Sequence, residues 1–128
     1  IAESNPMDFA LVPTLKNLTA LASVIFGIVA LFRPQATASA ASLKADTAKG
    51  MAEIRASWGG LFIGLGIAVI IIGTQDAYYV FASAYALTAI VRLITWLLDT
   101  SIISRTGIII LTFEVVSAII FALPEGAF

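Results

Sequence analysis

Arg92 and Glu114 are the residues whose type and position could do chemistry, because each is the lone charge in a long run of Ile, Leu, Val and Ala. Placed on helices that rise 1.5 Å per residue, Arg92 lies roughly 9 Å and Glu114 roughly 12 Å in from the same side. Opposite charges at one level should pair, since an unpaired charge in hydrocarbon costs at least about 2.5–3.5 kcal/mol. Around Arg92 the residues Tyr85, Thr88, Thr95 and Asp99 recur by threes and fours, a polar stripe expected to face inward. At the boundary Asp99 can form a second pair with Arg55, and Glu53 is close enough in sequence to compete for either arginine. Three roles fit such charges: fixing which helices meet and in what register, lining a proton or ion path, or offering a carboxylate to a magnesium-centred pigment with the arginine balancing its charge. The structural role is favoured, because toward the other face the segments become almost wholly apolar. A transporter would place broken helices and polar groups at the midplane.

The remaining composition narrows the chemistry further. The chain contains no histidine and no cysteine, which removes imidazole and thiolate metal ligands, disulfides and the usual general base. A lone buried carboxylate without a second titrating partner makes a poor acid–base site, so no enzyme is expected. Charged residues make up 12% of the chain and the formal net charge is -1, which leaves no basic surface for nucleic acid. The 60% hydrophobic content exceeds the roughly 45–50% of soluble domains, and the mean hydropathy is +1.03. The chain begins at Ile1 without a methionine, as a processed or incomplete precursor would, which puts any targeting sequence out of view.

These charges must be positioned by helices that cross a bilayer, each needing about 20 apolar residues. Four segments approach that length, about 11–32, 56–73, 78–98 and 107–123. The expected fold is an all-α, four-helix transmembrane bundle, up-down-up-down, forming a single membrane domain over 1–128 with both termini on the same side. Arg33, Lys44, Lys49, Arg55 and Arg105 then share one side, while Lys16 stands with Glu3, Asp8, Asp76 and Glu125 on the other. The positive-inside rule turns the basic loops to the cytoplasm, stroma or matrix and the termini to the non-cytoplasmic or lumenal compartment. The loop "PQATASAASLKADTAKG" reads as a solvated connector rather than a docking segment, because no wide apolar face accompanies its Ala and Lys.

The stretch "EIRASWGGLFIGLG" could suggest a phosphate cradle, but Gly64-Leu65-Gly66 runs on into Ile67, Ala68 and Val69, with no Gly-Lys-Ser/Thr and no preceding strand. A close helix contact is the better reading. Ala56, Gly60, Gly64 and Ala68 recur every four residues, and the first segment offers a matching stripe at Ala20, Ser23, Gly27 and Ala30.

The same stretch, followed by "RLITWLLD" and by the glutamate of "FEVVSAII", resembles a family of small, mostly bacterial four-helix membrane proteins classified as a domain of unknown function. Its pattern is Arg-x-x-x-Gly-Gly opening the second helix, an Arg with an Asp seven residues later, and a Glu in the fourth. Arg55, Gly59, Gly60, Arg92, Asp99 and Glu114 match it, while Thr100 stands where the family often has glycine. The resemblance implies a shared bundle and shared charge pairs, and no reaction.

The expected function is that of a non-enzymatic accessory or assembly subunit of a larger membrane complex. A photosystem–antenna supercomplex of the plastid thylakoid is the preferred host, with bacterial or mitochondrial inner membranes as alternatives. Its partners would be membrane lipids and other integral membrane subunits, with no soluble substrate. No intrinsic cofactor is expected; chlorophyll, carotenoid or lipid would touch the surface, and Gln75, Glu53 and Glu114 are the candidate pigment ligands. The competing reading is a small oligomeric solute or ion carrier acting through Arg92 and Glu114.

Overall fold

Helix α1 (Pro6–Phe32) has Pro13 inside it, as its eighth residue and not in its first turn, and stops at Arg33-Pro34, where proline opens the short α2 (Pro34–Ala40). The computed structural model describes residues 6–124, and among them it contains helices and connections but no strand. Helix α3 (Ala48–Ile54) begins at the N-cap Thr47, whose side chain accepts from Gly50 N–H at 2.9 Å. It continues through a wide, π-helical turn (Arg55–Gly60) into α4 (Leu61–Ile72). Gly73, at φ 63°, then supplies the left-handed turn, and Thr74 caps α5 (Gln75–Leu98) by accepting from Ala77 N–H at 3.3 Å. A single 3₁₀ turn (Thr100–Ile102) leads to α6 (Arg105–Ala122), capped by Ser104 on Gly107 N–H at 3.0 Å.

Four stretches are long and apolar enough to cross a membrane: Leu11–Phe32, Ala48–Ile72, Gln75–Leu98 and Arg105–Ala122. The second starts about two turns earlier than the apolar run predicts, because Ala48–Ile54 is helical as well. The loop expected as a plain connector also contains helix α2, which ends in a Schellman arrangement: Leu43 N–H donates to Ala38 O, Ser42 N–H to Ser39 O, and Ser42 takes φ 60°. Pro34, Thr37, Ala38 and Ala45 of this loop are buried. Of the acidic residues set against Lys16 in the charge count, Glu3, Asp8 and Glu125 lie outside the described residues and side chains.

The chain divides into two compact units, residues 18–72 and residues 1–17 with 73–128. In the first, Ala20, Ser23, Gly27 and Ala30 of α1 are all buried, as their spacing of three, four and three predicts. The facing stripe is not the expected one. Ala56, Gly60, Gly64 and Ala68 are exposed, and nothing lies within 4 Å of where a Gly64 Cβ would stand. The contacts fall instead on Gly59 and Gly66, which are buried: a Cβ on Gly66 would strike Val24 and lie 2.9 Å from Ala20 O, and one on Gly27 would lie 2.8 Å from Gly59 O. The reason is geometric, since a step of four advances about 400° and drifts about 40° each time, whereas alternating threes and fours stay on one face. Phe26 packs beside this seam, its ring centroid 5.0 Å from that of Phe62 and 6.0 Å from that of Trp58.

In the second unit α5 and α6 pack along Tyr78, Phe81, Ala82, Tyr85 and Ala89 against Glu114, Ser117 and Phe121. The Phe121 ring stacks on three others, Phe81 at 5.0 Å, Tyr78 at 6.1 Å and Tyr85 at 6.2 Å.

Candidate functional site

Helix α5 carries Arg92 one turn beyond the buried Ala89, and α6 carries Glu114 one turn before the buried Ser117, so the α5–α6 seam holds both charges. Arg92 Nη2 donates to Glu114 Oε1 at 2.6 Å and Nε donates to Oε2 at 2.9 Å, a bidentate fork that engages both carboxylate oxygens. The Glu114 side chain is 6% exposed and that of Arg92 29% exposed. This is the ion pair found among the described residues, and its register follows from the depths at which the two charges sit in their helices.

The rest of the predicted stripe behaves differently. Tyr85 is buried, but Thr88, Thr95 and Asp99 are exposed. Thr88 donates to Ala84 O and Thr95 to Val91 O, each at 2.8 Å, so the helix itself takes up their hydroxyl protons and they do not need to face inward.

The expected partners Asp99 and Arg55 belong to different units, and each has a hydrogen-bond partner within its own. Asp99 Oδ1 accepts from Ser101 Oγ at 2.6 Å and from Ser101 N–H at 3.0 Å. The Ser101 hydroxyl, then its backbone N–H, hold the Asp99 carboxyl below the usual carboxylate range. Arg55 Nε donates to Leu31 O at 3.1 Å, which places a cation at the C-terminus of α1, where the helix dipole favours it. Glu53 is exposed on α3.

A second polar cluster escaped the sequence reading. Lys16 of α1 is 1% exposed, and its Nζ donates to Gln75 Oε1 at 2.6 Å and to Leu123 O at 2.5 Å. Gln75 Nε2 donates to Phe121 O at 3.2 Å, Tyr78 OH donates to Asn17 Oδ1 at 2.8 Å, and the Lys16 ammonium stands 4.8 Å from the Tyr78 ring centroid. Lys16 read as a rim charge because it falls near the start of its span. The available signal was its place five residues inside the apolar stretch that begins at Leu11.

These contacts bear on the candidate pigment ligands. Gln75 and Glu114 are both engaged in hydrogen bonds within the chain. Among the described residues no group of three or more His, Cys, Asp or Glu side chains could hold a metal ion.

No curated protein and no solved structure matches this chain. Residues 15–123 match a family model described as "Domain of unknown function (DUF4345)", which takes in the Arg92–Glu114 pair and the Gly59 and Gly66 contacts, and the chain belongs to that family.

Proposed function

We propose that the chain is an integral membrane protein and a non-enzymatic subunit of a larger membrane complex. Its four apolar helices cross the bilayer in up-down-up-down order. The loops bearing Arg33, Lys44, Lys49, Arg55 and Arg105 face the cytoplasm or its organellar equivalent, and the termini share the other side. The observation that carries this reading is the closed fork between Arg92 and Glu114. With both its oxygens bonded to Arg92, the Glu114 carboxylate in the α5–α6 seam ties two helices together in a fixed register. Large apolar side chains such as Ile71, Leu97 and Leu98, between 77% and 83% exposed, cover the outside of the spans and suit lipid, neighbouring helices or pigments.

In a thylakoid the host would be a photosystem with its antennae; in a bacterial or mitochondrial inner membrane, another multi-subunit assembly. Solubilising native membranes in a mild detergent and identifying what copurifies tests the reading. Recovery with a defined set of integral membrane subunits is the expected result. Recovery free of other proteins, with liposome flux that Glu114→Gln abolishes, would replace the subunit reading by that of a carrier.

A further inference from the structure

Arg33 and Arg55 stand together at the end of α1. Arg33 directly follows Phe32, the last residue of the apolar stretch Leu11–Phe32, and Arg55 Nε donates to Leu31 O, so both sit at the level where that stretch stops. The second stretch gives the same level. As a helix, Ala48–Ile72 is roughly 37 Å long against a hydrocarbon core of about 30 Å, and Arg55 lies roughly 10 Å from its start.

Neither charge is answered within its own unit. The side chain of Arg33 and both Nη groups of Arg55 make no hydrogen bond or ion pair among the described residues. Residues 18–72 hold four cations, Arg33, Lys44, Lys49 and Arg55, against two acids, Asp46 and Glu53. Glu53 stands two positions before Arg55, a spacing at which helix side chains do not face each other. With Nε held by Leu31 O, the Arg55 guanidinium keeps its end-on edge, a pair of Nη groups spaced to meet two oxygens of one anion.

Below these cations the same seam is aromatic. The Phe26 ring lies 6.0 Å from Trp58, three residues on from Arg55, and 5.0 Å from Phe62. Phe26 is six residues before Phe32, roughly 9 Å deeper. A ligand with an anionic head at the rim and a hydrocarbon tail running inward matches both halves, whereas an acidic protein side chain matches only the first. A zwitterionic headgroup brings its own ammonium, which competes for the phosphate.

We propose that Arg33 and Arg55 bind the headgroup phosphate of an anionic phospholipid, whose acyl chain lies along Phe26, Trp58 and Phe62. The basic loops turn this rim toward the cytoplasmic leaflet, where anionic lipid is concentrated. The lipid site rests on the membrane placement proposed above and is independent of any host complex.

A Trp96→Phe variant in nanodiscs leaves Trp58 as the sole indole. Phosphatidylglycerol brominated on its acyl chains should quench Trp58 fluorescence more than the same mole fraction of brominated phosphatidylcholine. That preference should fall about fivefold for each guanidinium removed in Arg33→Gln/Arg55→Gln, with quenching by phosphatidylcholine unchanged. Lys44→Gln/Lys49→Gln, which removes the same charge, should keep it. Native mass spectrometry of lipid retained by the unsubstituted chain gives the same comparison without the change at Trp96. Equal loss in the lysine variant would reveal diffuse attraction in place of a site, and equal quenching by the two lipids would mean that protein groups answer the charges. A preference abolished by inorganic phosphate would make a free anion the ligand. Each of these overturns the lipid site. Release of the chain from native membranes by alkaline extraction would instead overturn the membrane placement, and the site with it.

Discussion

Lys16 Nζ lies 2.6 Å from Gln75 Oε1, which binds the early part of α1 to the first residue of α5 across 59 positions of sequence. Through its second bond, to Leu123 O, the same ammonium reaches the end of α6. A donor-only group, fully withdrawn from the surface, thus joins three helices at one end of the unit.

Replacing Lys16 by Met keeps most of the side-chain volume and removes the ammonium, leaving Gln75 Oε1 and Leu123 O without that donor. Hydrogen bonds to charged groups are worth about 1.5–3 kcal/mol, so the loss should be about 2–3 kcal/mol. A thermal melt in detergent checks it: unchanged stability would mean that the cluster contributes little.

At the Arg92–Glu114 fork the single and double variants should separate. Removing one partner of a buried pair costs about 3–5 kcal/mol, whereas replacing both by apolar residues is often near neutral. Partial exposure of Arg92 lowers the first figure to roughly 2–3 kcal/mol here. Glu114→Met should therefore be less stable than Arg92→Met/Glu114→Met, as a double-mutant cycle would read.

Glycine positions should divide in the same assay. Gly66→Ala and Gly27→Ala force backbone or Val24 to move and should cost about 1–3 kcal/mol, the usual range for overpacking. Gly64→Ala meets nothing and should hold or raise stability by up to about 1 kcal/mol through helix propensity. If Gly64→Ala proved the more damaging, the period-four stripe would be restored.

Asp99 supplies the pH prediction. Its folded carboxyl titrates below the ordinary range of about 3.9, so its bonds to Ser101 are fully present above that value and are lost as pH falls through the lowered one. Ser101→Ala removes the larger cause, and a carboxyl NMR titration should then show Asp99 moving up toward the ordinary value. A profile unchanged by the substitution would place the cause elsewhere.

The spans and the level of Arg92 and Glu114 were legible because apolar run length and a lone charge within it are strong, local signals. The α1 stripe was legible for a related reason, its three-four alternation being the true period of a packed helix face. Its counterpart on α4 was misread by following a strict period of four. Asp99, Thr88 and Thr95 escaped because a sequence reading assigns polar groups to distant partners, while each here found one within four residues. Lys16 escaped because burial of an ammonium depends on carbonyls and amides brought from 59 and 107 residues away.

The wide turn at Arg55–Gly60 closes on a bond from Leu61 N–H to Ala56 O, one residue longer than the α-helical link. It is in effect an inserted residue absorbed without a loop, and it sets the phase of everything downstream. Deleting a single residue there would let the stretch close into an ordinary α-helix with Gly66 still toward Val24, whereas adding one more would turn the downstream rod by about 100°. An indel scan should therefore find one deletion in this stretch tolerated and one insertion not.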